Sequence, residues 1–376
     1  MRDPALDAMR SCALWGIIVA NMPFFAMPGG YGLSWWAQEA TQADILATFF
    51  IRTFVEGKFV GLFSMLFGFG IAQQLARHGH GYGYRRMMAL AGLGVIHGAF
   101  LFGGDILLAY ALCGTGFIVL RNRMTHMVHA VIAGLCLSVM GMAILSALDL
   151  ILAFPKFDTS VILNTLQNGG LAEYVTLNLM GWIGFYSEMP FHLFWYIAAC
   201  CALGSWFHAR FDNIGSAAAA IQPYTALFWS MGIAGNLLYG TLMVYGQVHD
   251  IPMLGYIAAI LRPIFGFIFM LGLFNGLYHL MQRGAQTWVV QVLAKTGRAS
   301  LSLYVGQSCV GVGLIWGAGL YAQLGMAQVL GLSVLAGLAL QLCLLAWLTI
   351  IPIGPLEYLM RKVSKQTKVA ISYSQP

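Results

Sequence analysis

A histidine, a carboxylate and a short run of charges stand inside apolar stretches of this 376-residue chain. His97 lies among Gly92, Gly94 and Gly98, and Asp105 follows eight residues later. A helix brings residues eight apart to nearly one face, although Gly103-Gly104 can break it between them. A carboxylate beside an imidazole holds one tautomer and raises its basicity, which is what a general base needs. The plain alternative is a core histidine bonded to a backbone carbonyl. Arg52 and Glu56 are four apart on one helical face and can pair, and Lys58 follows Gly57. These three are either a structural ion pair with a snorkelling lysine or the wall of a polar cavity entering from outside. In the second case Arg52 or Lys58 can steady a developing oxyanion. Asn21, Arg262 beside Pro263, and Gln307 beside Ser308 are further polar groups at membrane depth. They can hold substrate or simply bridge helices. His192 and Asp149 stand toward the outer ends of their runs, His279 and Glu357 toward the inner ends.

These groups draw notice because of what surrounds them. The chain is 60% hydrophobic and 9% charged, with mean hydropathy +0.78, whereas a soluble domain is roughly 25% charged. Its solvent is a bilayer, which admits helices or a closed barrel. Runs such as 327–351 are too long and unbroken for barrel strands. The expected fold is therefore all-α, one transmembrane domain of about ten spans. They cover 12–27, 45–75, 87–102, 106–120, 128–154, 190–207, 217–245, 253–281, 301–320 and 327–351. Gly103-Gly104-Asp105 alone separates the third from the fourth.

Charge orients the set. With the N-terminus inside, Arg2, Arg10, Arg77, Arg85, Arg86, Arg121, Arg123, Arg210, Arg283, Lys295, Arg298, Arg361, Lys362, Lys365 and Lys368 fall on the inner side. Lys156 falls outside, among Glu39, Asp44, Asp158, Glu173, Glu188 and Asp250. Fifteen against one follows the positive-inside rule and puts both termini in the cytoplasm. The net charge of +6 is thus a topology signal, and nucleic acid is not an expected partner. An outer loop near 155–189 and a basic inner tail over 356–376 complete the plan. Within that loop, 171–186 is moderately apolar and reads as an interfacial segment or an ordinary loop helix. The N-terminus reads as a retained first helix, since no small-residue cleavage site follows it. The seven cysteines lie in or beside spans and lack metal-site spacing, so no metal is expected. No phosphate-cradling loop, His-Glu-x-x-His pair or Gly-x-Ser-x-Gly elbow occurs.

Three segments resemble a known family. The first is Leu6-Asp7, Arg10 and Ala13-Leu14-Trp15-Gly16-Ile17, ending in Asn21. The second runs from Glu56-Gly57-Lys58-Phe59 through Leu62-Phe63-Ser64-Met65-Leu66-Phe67-Gly68, Arg85-Arg86-Met87 and His97. It ends in Gly104-Asp105-Ile106-Leu107 and Tyr110-Ala111-Leu112. The third is Gly297-Arg298, Ser300-Leu301-Ser302, Tyr304, Gln307-Ser308 and Gly354-Pro355-Leu356-Glu357. Together they resemble the YeiB-like family of bacterial inner-membrane proteins, a domain of unknown function. Residues 122–290 carry little of the pattern, and Ser11-Cys12 and Ser302 depart from it without removing an ionisable group.

That family is similar to the transmembrane acyltransferases, including the heparan glucosaminide and sugar O-acetylating enzymes. The resemblance implies transfer of an acyl group, usually acetyl, from a coenzyme A thioester to a small-molecule, glycan or lipid acceptor at or across the membrane. A membrane histidine is the usual catalytic candidate in that group. On this expectation His97 acts as base and Asp105 orients it. Donor coenzyme A would meet Arg85, Arg86, Arg121, Arg123 and Arg298 at the inner face, where topology alone also explains arginines. The competing expectation is a small-molecule transporter or exporter, since polar groups at depth, abundant glycine and proline-broken spans suit that class too. Self-association remains open.

Overall fold

The computed structural model describes residues 3–27, 40–120, 127–152, 159–211 and 213–364. Arg2, Glu39, Arg121, Arg123, Lys156, Asp158, Lys365 and Lys368 of the charge pattern lie outside them. The described residues form helices and no strand. Six helical segments are long and apolar enough to cross a bilayer. A seventh arises if the pair Leu171–Phe191 and Leu193–Arg210, bent by 61°, counts as one span. Two further apolar helices are shorter.

Helix α1 (Pro4–Ala26) starts on Asp3, whose carboxylate accepts the Ala5 N–H. It is apolar on nearly every face and runs through the interior, which suits a helix packed all round. Helix α2 (Gln42–Phe50) gives way to a wide π-helical turn, Ile51–Val55. Gly57 then takes φ +79°, which glycine adopts without a Cβ penalty, and α3 (Lys58–Phe100) begins. The run at 45–75 is therefore broken in its middle, where Arg52, Glu56 and Lys58 stand.

Helix α3 breaks again at Gly79, φ +76°. Ile71 and Met87 both press against Gly114 of α4 (Leu107–Leu120). Sixteen residues of straight helix would hold them about 24 Å apart. The chain therefore reverses at Gly79, and the expected spans at 45–75 and 87–102 are the two legs of that reversal.

The segment expected outside contains α6 (Thr159–Asn168) and α7 (Leu171–Glu188), after α5 (Met127–Leu152). A short 3₁₀ turn leads to α8 (Leu193–Arg210). Then follow α9 (Ile214–Ile221), α10 (Thr225–Val248), α11 (Pro252–Arg283) and α12 (Trp288–Gly297). The last three are α13 (Ser300–Ile315), α14 (Met326–Ile350) and α15 (Pro355–Ser364). Helix α1 touches α3, α11, α12, α13 and α14.

Glycine permits a close crossing of α3 and α8. A Cβ on Gly68 would overlap the Cys201 carbonyl, and one on Gly204 would overlap the Met65 carbonyl. Helices α3 and α8 thus meet backbone to backbone, as small residues permit in membranes. Gly204→Leu should therefore abolish the monodisperse size-exclusion peak of detergent-solubilised protein, because neither backbone can withdraw. An unchanged peak and melting temperature would show that the crossing is loose.

Candidate functional site

The apolar run containing His97 ends at Phe100, and α4 begins at Leu107. The stretch between has backbone groups that bilayer cannot satisfy. One face of α7 satisfies them. Tyr174 donates to the Leu101 carbonyl at 2.9 Å. Asn178 donates to the carbonyls of Gly98 and Ala99 at 2.7 and 2.9 Å and accepts the Gly103 N–H at 2.8 Å. Tyr186 donates to the Asp105 carbonyl at 3.1 Å and accepts the Ala109 N–H at 3.2 Å. These side chains, with Trp182 against Gly98, repeat every four residues.

The break so held places His97 between two partners. Its Nδ1 is 2.9 Å from Asp105 Oδ1, and its Nε2 is 2.9 Å from Ser308 Oγ on α13. All three side chains are buried. Asp105 also accepts the N–H groups of Leu107 and Leu108 at 3.0 and 3.2 Å, capping α4. With Asp105 ionised, Nδ1–H donates to its Oδ1, which leaves the Nε2 lone pair to accept the Ser308 hydroxyl. Tyr304, four residues before Ser308, lies against the imidazole with ring centres 5.3 Å apart. The arrangement is an aspartate–histidine–serine relay.

A cavity of about 780 Å³ lies beside it, walled by α1, α7, α11 and α13 among others. Phe102, Gly104, Ile106 and Gly311 line it, but His97, Asp105 and Ser308 do not. His97 is thus screened from the cavity. The imidazole is packed behind Phe102, with ring centres 6.4 Å apart. The reason is the chain reversal through Gly103-Gly104, which turns Phe102 toward Phe25, stacked at 4.7 Å.

The charged cluster forms another part of the cavity wall. Glu56 joins Arg52 at 2.9 Å and Arg262 at 2.9 Å, through different oxygens, and accepts the Tyr239 hydroxyl at 2.6 Å. Lys58 is fully buried; its Nζ donates to the Arg52 carbonyl at 2.7 Å and lies 5.0 Å from the Tyr239 ring centre. It satisfies a carbonyl in the broken span rather than snorkelling. Glu56, Arg262 and Asn21 line the cavity, and Arg52 and Lys58 stand behind them.

Other expected contacts fall elsewhere. Gln307 donates to the Leu14 carbonyl at 2.9 Å and bridges α13 to α1, away from the cavity. Arg85 donates to the Ser364 carbonyl at 3.1 Å. Arg298 approaches Asp7 at 3.8 Å and borders a separate cleft of about 330 Å³ with Arg361 and Glu357. Arg86 lines neither space. Ser308 carries the second bond to His97 and was legible as the i+4 neighbour of Tyr304; it stands one turn before cavity-lining Gly311 and two before Ile315. Asn178 and Tyr174 were legible in the four-residue ladder of α7.

Comparison with known proteins agrees with the sequence motifs. The chain is 26% identical to the uncharacterized protein YeiB of Escherichia coli (strain K12), over 96% of each chain. It is also 26% identical to the uncharacterized protein YxaH of Bacillus subtilis (strain 168), over 98% of this chain and 97% of that one. Over nearly its whole length the chain is similar to these two proteins. Residues 208–367 match the family described as Protein of unknown function (DUF418). That match reaches well into the middle of the chain, where the motifs were sparse. No solved structure matches. The hydrogen-bonded trio draws on both parts of the chain, His97 and Asp105 before the matched region and Ser308 within it.

Proposed function

We propose that the chain is a membrane-embedded acyltransferase of a bacterial inner membrane, crossing about ten times with both termini in the cytoplasm. It moves an acyl group, acetyl first among candidates, from a coenzyme A thioester to a small-molecule, glycan or lipid acceptor. The observation that carries this reading is the relay, in which His97 is oriented by Asp105 and presents Nε2 to a hydroxyl. In the reaction an acceptor hydroxyl takes the place of Ser308 at Nε2. His97 removes its proton as the oxygen attacks the thioester carbonyl. The new C–O bond forms, the C–S bond breaks, and the proton passes from His97 to the departing thiolate. The choice of reaction follows the analogy between the YeiB-like family and the membrane acyltransferases. The outer cavity and the inner Arg298 cleft are separate spaces, so the mechanism includes a movement of Phe102 that opens the relay. The test is transfer of labelled acetyl from acetyl coenzyme A into membrane lipid or glycan by purified protein in liposomes.

The broken span at Arg52–Lys58 favours a second reading, a transporter of small molecules, because such breaks hold substrate in that class. Protein that moves a labelled solute across liposomes without consuming thioester would support it.

The threading has its own expected outcome. In intact cells an impermeant maleimide should label Glu173→Cys, on exposed α7, while Lys362→Cys should react after the inner membrane is opened. Labelling of Lys362→Cys in intact cells would invert the arrangement.

A further inference from the structure

The wall of the cavity combines one strong cation with an apolar interior, and that combination specifies a ligand. Arg262 Nη1 bonds Glu56, but Nη2 meets the Met142 sulfur at 3.9 Å. A thioether is a weak acceptor, whereas a guanidinium keeps its charge in every protein setting. Glu56 cannot neutralise Arg262 alone, because its single charge also serves Arg52. His192 and Tyr196 line the same cavity as Arg262. An imidazole and a phenol hydroxyl add donors beside the guanidinium.

The rest of the lining is hydrocarbon and aromatic, including Phe25, Leu166, Leu177 and Ile315. The apolar lining extends to the surface. Phe24 is 49% exposed and Met180 62% exposed, and both line the cavity. Exposed apolar side chains at the mouth suit entry of a ligand that carries an apolar chain. Its volume of about 780 Å³ falls within the roughly 300–1,000 Å³ usual for small-ligand sites.

We propose that this cavity binds a single-chain amphiphile, its carboxylate or phosphate on Arg262 and its apolar chain along the phenylalanine-lined wall. A soluble anion would leave the apolar wall uncovered, and a neutral lipid would leave Arg262 half-compensated. The proposal goes beyond acyl transfer, since binding needs neither His97 nor coenzyme A. If the acyltransferase reading also holds, an amphiphile of this class that carries a free hydroxyl is the lipid acceptor.

The test is equilibrium binding of tritiated probes to purified full-length protein in a neutral maltoside detergent. The probes are palmitate, a lysophosphatidylglycerol, and a monoacylglycerol of the same chain length. At least one anionic probe should bind saturably, and the monoacylglycerol about tenfold or more weakly. Palmitate alone would identify a carboxylate ligand, and lysophosphatidylglycerol alone a phosphate headgroup. Arg262→Gln should weaken anionic binding about ten- to a hundredfold, the usual scale for losing a charged hydrogen bond, while Arg262→Lys should restore part of it. Glu56 keeps Arg52 and Tyr239 in either variant. If Arg262→Gln does not fold, the comparison of anionic with neutral probes on the unmodified chain decides. Equal binding of all three probes, absence of saturable binding, or full affinity in Arg262→Gln would each overturn the proposal. A His97→Ala variant should bind as the parent does, so lost acyl transfer with intact binding separates the two readings.

Discussion

His97→Ala should lose acyl transfer by about 10²–10⁴-fold, the usual loss for a general base, while the protein stays folded. The substitution strands no charge that His97 alone satisfied. Asp105 retains the Leu107 and Leu108 N–H groups, and Ser308 loses a neutral partner. Asp105→Asn should cost less, because an amide oxygen still accepts from Nδ1 and from the backbone while the base remains. Ser308→Ala should leave most activity, since the acceptor displaces that hydroxyl in the proposed step. The measurement is release of coenzyme A thiol coupled to product formation, with size exclusion as the folding control. Full activity in His97→Ala would remove the assignment. Activity lost equally in Ser308→Ala, with label retained on the protein, would make the serine itself the acyl carrier.

The largest stability effect is expected at Glu56. Glu56→Ala leaves Arg52 and Arg262 facing one another without the carboxylate, and the Tyr239 hydroxyl without its acceptor. Breaking a buried pair by removing one partner costs about 3–5 kcal/mol, and here one deletion breaks two pairs. Arg262→Gln should be milder, because Glu56 keeps Arg52. The double variant Arg52→Ala with Glu56→Ala should fall between them, since one of the two guanidiniums that share the carboxylate is removed with it. Thermal unfolding followed by size exclusion ranks the four proteins. A Glu56→Ala midpoint equal to that of the parent would mean that water, rather than Glu56, solvates the arginines.

The helical membrane class was legible because solvent imposes it. With 60% hydrophobic and 9% charged residues, a chain in bilayer must satisfy its backbone internally, and long apolar runs leave the helix as the means. The Arg52–Glu56 pair was equally legible, because an i, i+4 spacing is a local fact of helical geometry. The same holds for His97 and Asp105, although they meet across a helix break that the glycines signalled, not along one continuous helix. Local chemistry and short spacing therefore carried both halves of the site.

What the sequence withheld was every contact between distant segments. Ser308 lies 211 residues from His97, and Arg262 lies 206 residues from Glu56. No spacing rule links positions so far apart, and a polar residue in a span looks the same whether it braces helices or faces a ligand. Gln307 and Ser308 are neighbours, yet one turns to the Leu14 carbonyl and the other to His97, because successive helical side chains point about 100° apart. Helix α7 was readable as an interfacial segment, but not as the element that satisfies the broken backbone around His97. The sequence by itself determined which groups are costly in a membrane. Tertiary packing alone decided which of them are compensated within the protein and which border an apolar space, since compensation depends on groups that distant helices bring within 3 Å or so.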